Sequence, residues 1–131
     1  MLGERGAVTI VAVTGALVLC LGALGAGDLG AMLFARARAQ SAADAAALAA
    51  VTAQAPILQQ GTDPEQAARE VAERNGAALS RCDCALGGTD ATVEVSVTTR
   101  LAFLAGWFGR TVRATARAAL DPDVLSYRDG G

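Results

Sequence analysis

The chain has 131 residues, a formal net charge of -2 and a hydrophobic fraction of 53%, with only 4% aromatic residues. It contains no His, which excludes a His-based catalytic triad and a His-ligated metal site. Its slightly acidic balance argues against nucleic-acid binding, and its 31 Ala favour helices packed through small side chains. The length fits one small domain. No catalytic, cofactor-binding or metal-binding motif is present in the sequence, so we expect no enzyme.

The N-terminal part of the chain holds one long segment without charge. Between Arg5 and Asp28 lie 22 uncharged residues, 6–27. A helix of about 20 apolar residues spans the hydrocarbon core of a bilayer, whereas a cleaved secretory signal has an apolar region of about 7–15 residues. Because apolar sequence resumes after Asp28, we predict a retained transmembrane helix over 7–34. Asp28 then marks the membrane boundary.

Small residues recur within this segment at the spacing of one helix face. Gly22, Ala26 and Gly30 stand four residues apart, which places them on one side of a helix. Such stripes let two helix backbones approach closely and drive helix association in lipid. We predict a helix-packing face here. The alternative is that Gly and Ala are simply common in this chain.

The helix is predicted to continue outside the membrane over 35–55. Ala is the strongest helix former, and neither Pro nor Gly interrupts this segment, so one helix is expected from about Ala7 to Ala55. Its exported half has a polar stripe on one side and a small apolar face on another, which indicates that something packs on it. The stripe is Arg36, Gln40 and Asp44, and the apolar face is Ala43, Ala47, Leu48 and Val51.

A small exported α+β domain is predicted over 56–120, followed by a polar tail over 121–131. Asp63-Pro64 is typical of a helix start, with a cap residue and then Pro in the first turn. The second helix is therefore expected over about 64–75. After it, the segment around Leu79 and Cys82 is predicted to lead into a turn at Gly87-Gly88.

Two later segments alternate in the manner of half-buried strands. In 91–99 the residues Val93, Val95 and Val97 share one face, and 111–120 alternates small apolar residues with Arg and Thr. We predict an antiparallel pair. The expected fold class is α+β: a long N-terminal helix, transmembrane in its first half and exported in its second, packed on a small cap of one helix and a β-hairpin or small sheet.

Two further groups of residues admit more than one interpretation. Cys82 and Cys84 permit a disulfide in an exported domain, although residues so close in sequence close a tight ring. The alternatives are a bridge to another subunit and unpaired thiols. A zinc site is not expected, because zinc needs four ligands and this pair supplies two. Trp107 and Phe108, with Arg110, suit a hydrophobic contact with the first helix or stacking on a ligand or lipid headgroup.

The N-terminal 50 residues resemble the TadE/TadG-like Flp pilus-assembly proteins of the short actinobacterial type. The resemblance is carried by Arg5-Gly6, by Asp28-Leu29-Gly30 and by the run RAQSAADAAAL over 38–48. A weaker likeness in the order of later segments extends it to about residue 120. It implies a pilin-like minor subunit (pseudopilin) of a tad-type type IV pilus or related secretion apparatus. Its implied partners are other pilin-like or tad assembly subunits, membrane lipid and a prepilin peptidase, with no nucleic acid and no cofactor.

The same resemblance implies a short leader over 1–6, cleaved between Gly6 and Ala7. Cleavage after Gly3 is a poorer alternative. Pilin-type sequences usually carry Glu at the fifth mature position, which helps to seat the subunit against a neighbour's N-terminal amine, whereas Val11 stands here. Asp28 is 17 residues further along, about 25 Å on a helix, and is too distant to replace that Glu.

We expect a single-pass protein of the plasma membrane, with its N-terminus in the cytoplasm and its C-terminal domain outside. The Cys pair and the strand-rich segment suit the extracytoplasmic side, and the resemblance extends this location to an extracellular pilus. The alternative function is a membrane-tethered binding or adaptor protein that is not incorporated into a filament. In that case the helix only anchors the exported domain.

Overall fold

The computed structural model describes residues 2–55, 62–100 and 109–121. Over these residues two helices precede a three-stranded antiparallel sheet. The helices are α1 (Leu2–Gln54) and α2 (Pro64–Arg74), and the strands are β1 (Ala78–Cys84), β2 (Asp90–Arg100) and β3 (Gly109–Ala119). The predicted α+β fold class is confirmed. The predictions for Trp107, Phe108 and nearly all of the tail lie outside the described residues.

Helix α1 is one uninterrupted helix of 53 residues, about 80 Å long. The prediction of a single helix through both the uncharged segment and the Ala-rich segment is therefore confirmed. The second half of α1 forms the spine on which α2 and the sheet pack.

Helix α2 begins and ends with the capping groups that its sequence predicts. The Asp63 carboxylate accepts a hydrogen bond from the backbone N–H of Gln66 at 3.2 Å, and Pro64 opens the helix. Asn75 closes it, and Gly76 follows with φ +71°, a conformation that side chains disfavour. A side chain at position 76 would also meet the guanidinium of Arg38. The expected helix over about 64–75 is thus confirmed.

The sheet has the order β1-β2-β3, with β2 in the centre. The predicted antiparallel pair is β2 and β3, in which Val93 lies opposite Ala116 and Val97 opposite Val112. Strand β1 was not predicted: the segment around Leu79 and Cys82 does not merely lead into a turn but pairs with β2. A register shift after Leu79 breaks the alternation that would have indicated a strand.

The β1–β2 connection is the turn predicted at Gly87-Gly88. The N–H of Gly88 donates to the carbonyl of Ala85 at 2.9 Å, and Gly87 adopts φ +78°. A positive φ at the third residue is what a type II turn requires.

The core is made almost entirely of Ala and Val. The inner faces of α1, α2 and the sheet meet through small side chains that are nearly all fully buried: Ala39, Ala42, Ala43, Ala46, Ala47, Ala50, Val51, Ala68, Ala72, Ala91, Val93 and Val95. Of the predicted apolar face of α1, Ala43, Ala47 and Val51 are buried, but Leu48 is 62% exposed. That part of the prediction is wrong because α2 and the sheet cover a face of α1 that excludes Leu48.

Two contacts fix how the cap is placed along α1. Near one end, Arg38 Nε donates to the backbone carbonyl of Asn75 at 3.1 Å, so the end of α2 lies beside Arg38. At the other end, a Cβ built on Gly88 would lie 3.4 Å from the side-chain nitrogen of Gln54. Sixteen residues of α1 separate these levels, about 24 Å, and β1 with its turn covers a similar distance. Strand β1 therefore runs along α1 in the same direction, and β2 runs back.

Candidate membrane and assembly surface

The first half of α1 is apolar and uncovered. The side chains described from Gly6 to Leu24 are all exposed, and the helix is long and apolar enough to cross a membrane. Leu17, near the middle of the uncharged segment, is 60% exposed. Contiguous apolar surface of this extent marks a site that lipid or another protein covers.

Burial along α1, followed from Gly6 onwards, begins at Asp28. Asp28 is only 5% exposed, whereas the next residue, Leu29, is 64% exposed. Further along, the buried positions Ala35, Ala39 and Ala42 continue the same face. The covered face of the helix therefore starts at the residue where the uncharged segment ends. The role of Asp28 as a membrane-boundary acid stays a prediction.

The predicted helix-packing stripe is accessible. Gly22, Ala26 and Gly30 are exposed, and a Cβ built on Gly22 or Gly30 would meet nothing within 4 Å. The described part of this chain leaves room there for the close approach of another helix. Packing of a partner on the stripe stays a prediction.

On the second half of α1 the predicted polar stripe faces outward. Arg36, Gln40 and Asp44 are exposed, and the Gln40 amide donates to the Asp44 carboxylate at 3.1 Å. The uncovered surface of this part of α1 thus carries a hydrogen-bonded polar row together with exposed large apolar side chains such as Leu33, Phe34 and Leu48.

The outer face of the sheet is polar and carries cross-strand ion pairs. Arg117 lies 2.9 Å from the Asp90 carboxylate, and Arg113 lies 3.9 Å from that of Glu94. At the opposite end of the same two strands, Arg100 and Arg110 are exposed, and neither forms an ion pair with a described residue. Two of the four arginines in the β2–β3 hairpin are therefore ion-paired, and the other two have no carboxylate partner among the described residues.

Cys82 and Cys84 both lie on β1, half-buried on the face that packs against the core. The structure joins them as a disulfide, with their Cα atoms 5.4 Å apart, while Cys20 is a free, exposed cysteine. The bridge spans only two positions in sequence, so it constrains very little of the unfolded chain.

We expect iodoacetamide to add one label to the denatured chain without a reductant and three labels after reduction. Because the closed ring is so short, reduction should lower the free energy of unfolding by only about 1.5 kcal/mol. Mass spectrometry and thermal unfolding measure the two effects. The C82A/C84A variant should show no response to the reductant, and three labels on unreduced protein would contradict the intramolecular bridge.

One buried polar residue was not predicted. Gln54 is fully buried at the end of α1, and its amide oxygen and nitrogen have no hydrogen-bond partner among the described residues. It lies against Gly88 of the β1–β2 turn. The sequence offers no indication of this, because a Gln at the end of a helix is usually solvated.

The described residues contain no group of three or more His, Cys, Asp or Glu side chains placed to hold a metal ion.

The candidate cleavage residues Gly6 and Ala7 lie within α1, where both are exposed. Cleavage there remains a prediction.

These features define a protein built on one long helix, whose uncovered apolar half continues into the spine of a small α+β cap. Residues 6–55 match the family model described as Putative Flp pilus-assembly TadE/G-like. Over this segment the chain is similar to the TadE/G-like Flp pilus-assembly proteins, and the resemblance found in the sequence is confirmed there. Comparisons with curated proteins and with solved structures give no match.

Proposed function

We propose that the protein is a pilin-like minor subunit of a tad-type pilus or a related secretion apparatus. It enters the plasma membrane through the first half of α1, packs against other subunits through that helix and displays the cap outside the cell. The observation that carries this proposal is the family match over residues 6–55, which coincides with α1.

The division of α1 supports a membrane span that ends near Asp28. The uncharged segment 6–27 has 22 residues, about 33 Å of helix, close to the thickness of a bilayer's hydrocarbon core. The covered face of the helix begins directly after it, at Asp28. The proposed span is therefore somewhat shorter than the segment 7–34, and the rest of α1 stands outside with the cap.

The exposed stripe of Gly22, Ala26 and Gly30 begins within the proposed span and crosses its end, and it suits close packing between the α1 helices of neighbouring subunits. Val11 stands where pilin-type sequences carry Glu. We therefore propose that side-by-side packing through small residues, rather than a charge pair within the membrane, holds this subunit to its neighbours.

Mass spectrometry of the mature N-terminus, in cells with and without the prepilin peptidase, tests the proposal. The expected result is a chain beginning at Ala7 only where the peptidase is present, together with co-purification of tad assembly subunits. An N-terminus at Met1 in both strains, without such co-purification, would contradict a pilin-like role.

Replacing residues 12–27 by an unrelated apolar span separates this function from a simple membrane tether, because it leaves the candidate cleavage residues Gly6 and Ala7 in place. We expect the replaced protein to stay in the membrane but to lose its association with pilus subunits, because Gly22 and Ala26 of the packing stripe are gone. Unchanged association would favour an adaptor whose helix only anchors the cap.

A further inference from the structure

We propose that the end of the β2–β3 hairpin binds the headgroups of anionic phospholipids through Arg100 and Arg110. The proposal rests on the proposed membrane span of α1 and adds to it a second contact with the bilayer. It gives a binding role to the ends of β2 and β3 that extend beyond β1.

The hairpin extends beyond the rest of the cap toward the N-terminal end of α1. Strand β1 begins at Ala78, which lies opposite Ser96, and the next four residues of β2 have no partner on that side. They pair only with β3, ending with Arg100 opposite Gly109. At about 3.3 Å per residue this overhang is about 13 Å long.

The overhang reaches the level where the proposed span ends. Ala78 follows shortly after Asn75, which contacts Arg38, so the hairpin leaves β1 near the level of Arg38. A further 13 Å toward the membrane corresponds to about nine residues of helix and leads to about residue 29. Measured along α1 in this way, Arg100 and Arg110 stand near the level of Asp28, where the proposed span would meet the lipid headgroups.

Charge distinguishes this end of the hairpin from the other. Arg113 and Arg117 are neutralised by carboxylates across the strands, whereas Arg100 and Arg110 are exposed and have no ion pair with a described residue. Thr99 lies opposite Arg110, so Arg100 and Arg110 are on opposite faces of the hairpin. Together they place positive charge on both faces of the sheet where the described parts of β2 and β3 end.

Phosphate is the ligand that this arrangement suits best. A guanidinium offers several N–H donors in a fork that matches phosphate oxygens. Basic residues near an anionic bilayer surface are attracted to it, and each one changes the ratio of membrane-bound to unbound states by about fivefold. With α1 and the cap packed as one unit, this contact sets how deeply α1 sits in the bilayer.

The single Trp, Trp107, provides the test. It is two residues from Gly109 in the sequence, next to the described start of β3. The full-length chain is reconstituted in phosphatidylcholine vesicles with or without phosphatidylglycerol, both containing lipids brominated near the headgroup. We expect phosphatidylglycerol to increase the quenching of Trp107 fluorescence, and the R100Q/R110Q variant to lose that increase.

The R113Q/R117Q variant is the matched control, because it removes the same charge from the same hairpin outside the overhang. It should retain the effect of phosphatidylglycerol, as should R100K/R110K, which keeps the charge. Equal loss in R113Q/R117Q, or no effect of phosphatidylglycerol on the wild type, would overturn the proposal. Release of the wild-type chain by alkaline carbonate would overturn the membrane span itself, a failure distinct from that of the arginine contact.

Discussion

Replacing Ala46 by Leu is expected to destabilise the cap by about 1–3 kcal/mol. Ala46 is fully buried at the centre of the Ala face of α1, where Ala42 and Ala50 lie one turn away on either side and are also fully buried. A Leu there adds three carbons to a close-packed contact and forces α1 away from the sheet or α2. Thermal unfolding followed by circular dichroism in detergent measures the loss.

The A37L variant is the control for this experiment. It makes the same chemical change on the same helix, but Ala37 is exposed, so its effect should stay within about 0.5 kcal/mol. Equal destabilisation by both variants would mean that the Ala face does not determine the packing of the cap.

The Ala-rich core also explains which elements the sequence predicts. Helix α1 follows from Ala propensity, from the absence of Pro throughout and from the absence of Gly over 35–54, and β2 follows from the alternation of Val93, Val95 and Val97. The capping residue Asp63 determines where α2 begins. In each of these elements, the local sequence alone is sufficient to specify the backbone.

The elements that escaped prediction depend on tertiary contacts. Strand β1 has few β-branched residues and a register shift, and it becomes a strand because β2 offers it a partner. Leu48 stays exposed although it is the largest residue of its predicted apolar face, because α2 and the sheet approach α1 from other sides. Burial of Gln54 likewise results from the position of the β1–β2 turn.

The candidate membrane and assembly surface likewise combines features that the local sequence specifies with features that depend on tertiary structure. The uncharged span and the family resemblance are properties of contiguous sequence, and both were predicted from it. The proximity of Arg100 and Arg110 in the hairpin depends on strand register, which the sequence pattern does not determine. Only the register shows that two of the four arginines in this hairpin lie on the part of β2 and β3 that extends beyond β1.

The largest single effect is expected at Leu17. Replacing it by Arg places a charge near the centre of the proposed span and changes the insertion free energy by about 3 kcal/mol, more than a hundredfold in the insertion equilibrium. We expect the L17R protein to be extracted from membranes by alkaline carbonate, while the wild type remains with the pellet. Immunoblotting of the two fractions measures the difference.

Leu48 provides a control matched in both chemistry and exposure. Leu17 is 60% exposed and Leu48 62% exposed, so the surface accessibility of the isolated chain does not distinguish them. If α1 stood in water throughout, L17R and L48R would have the same small effect. If the bilayer covers 6–27, only L17R releases the protein, because Leu48 lies about 30 Å beyond the end of that segment. Equal behaviour of the two variants would therefore contradict the membrane span on which the assembly function depends.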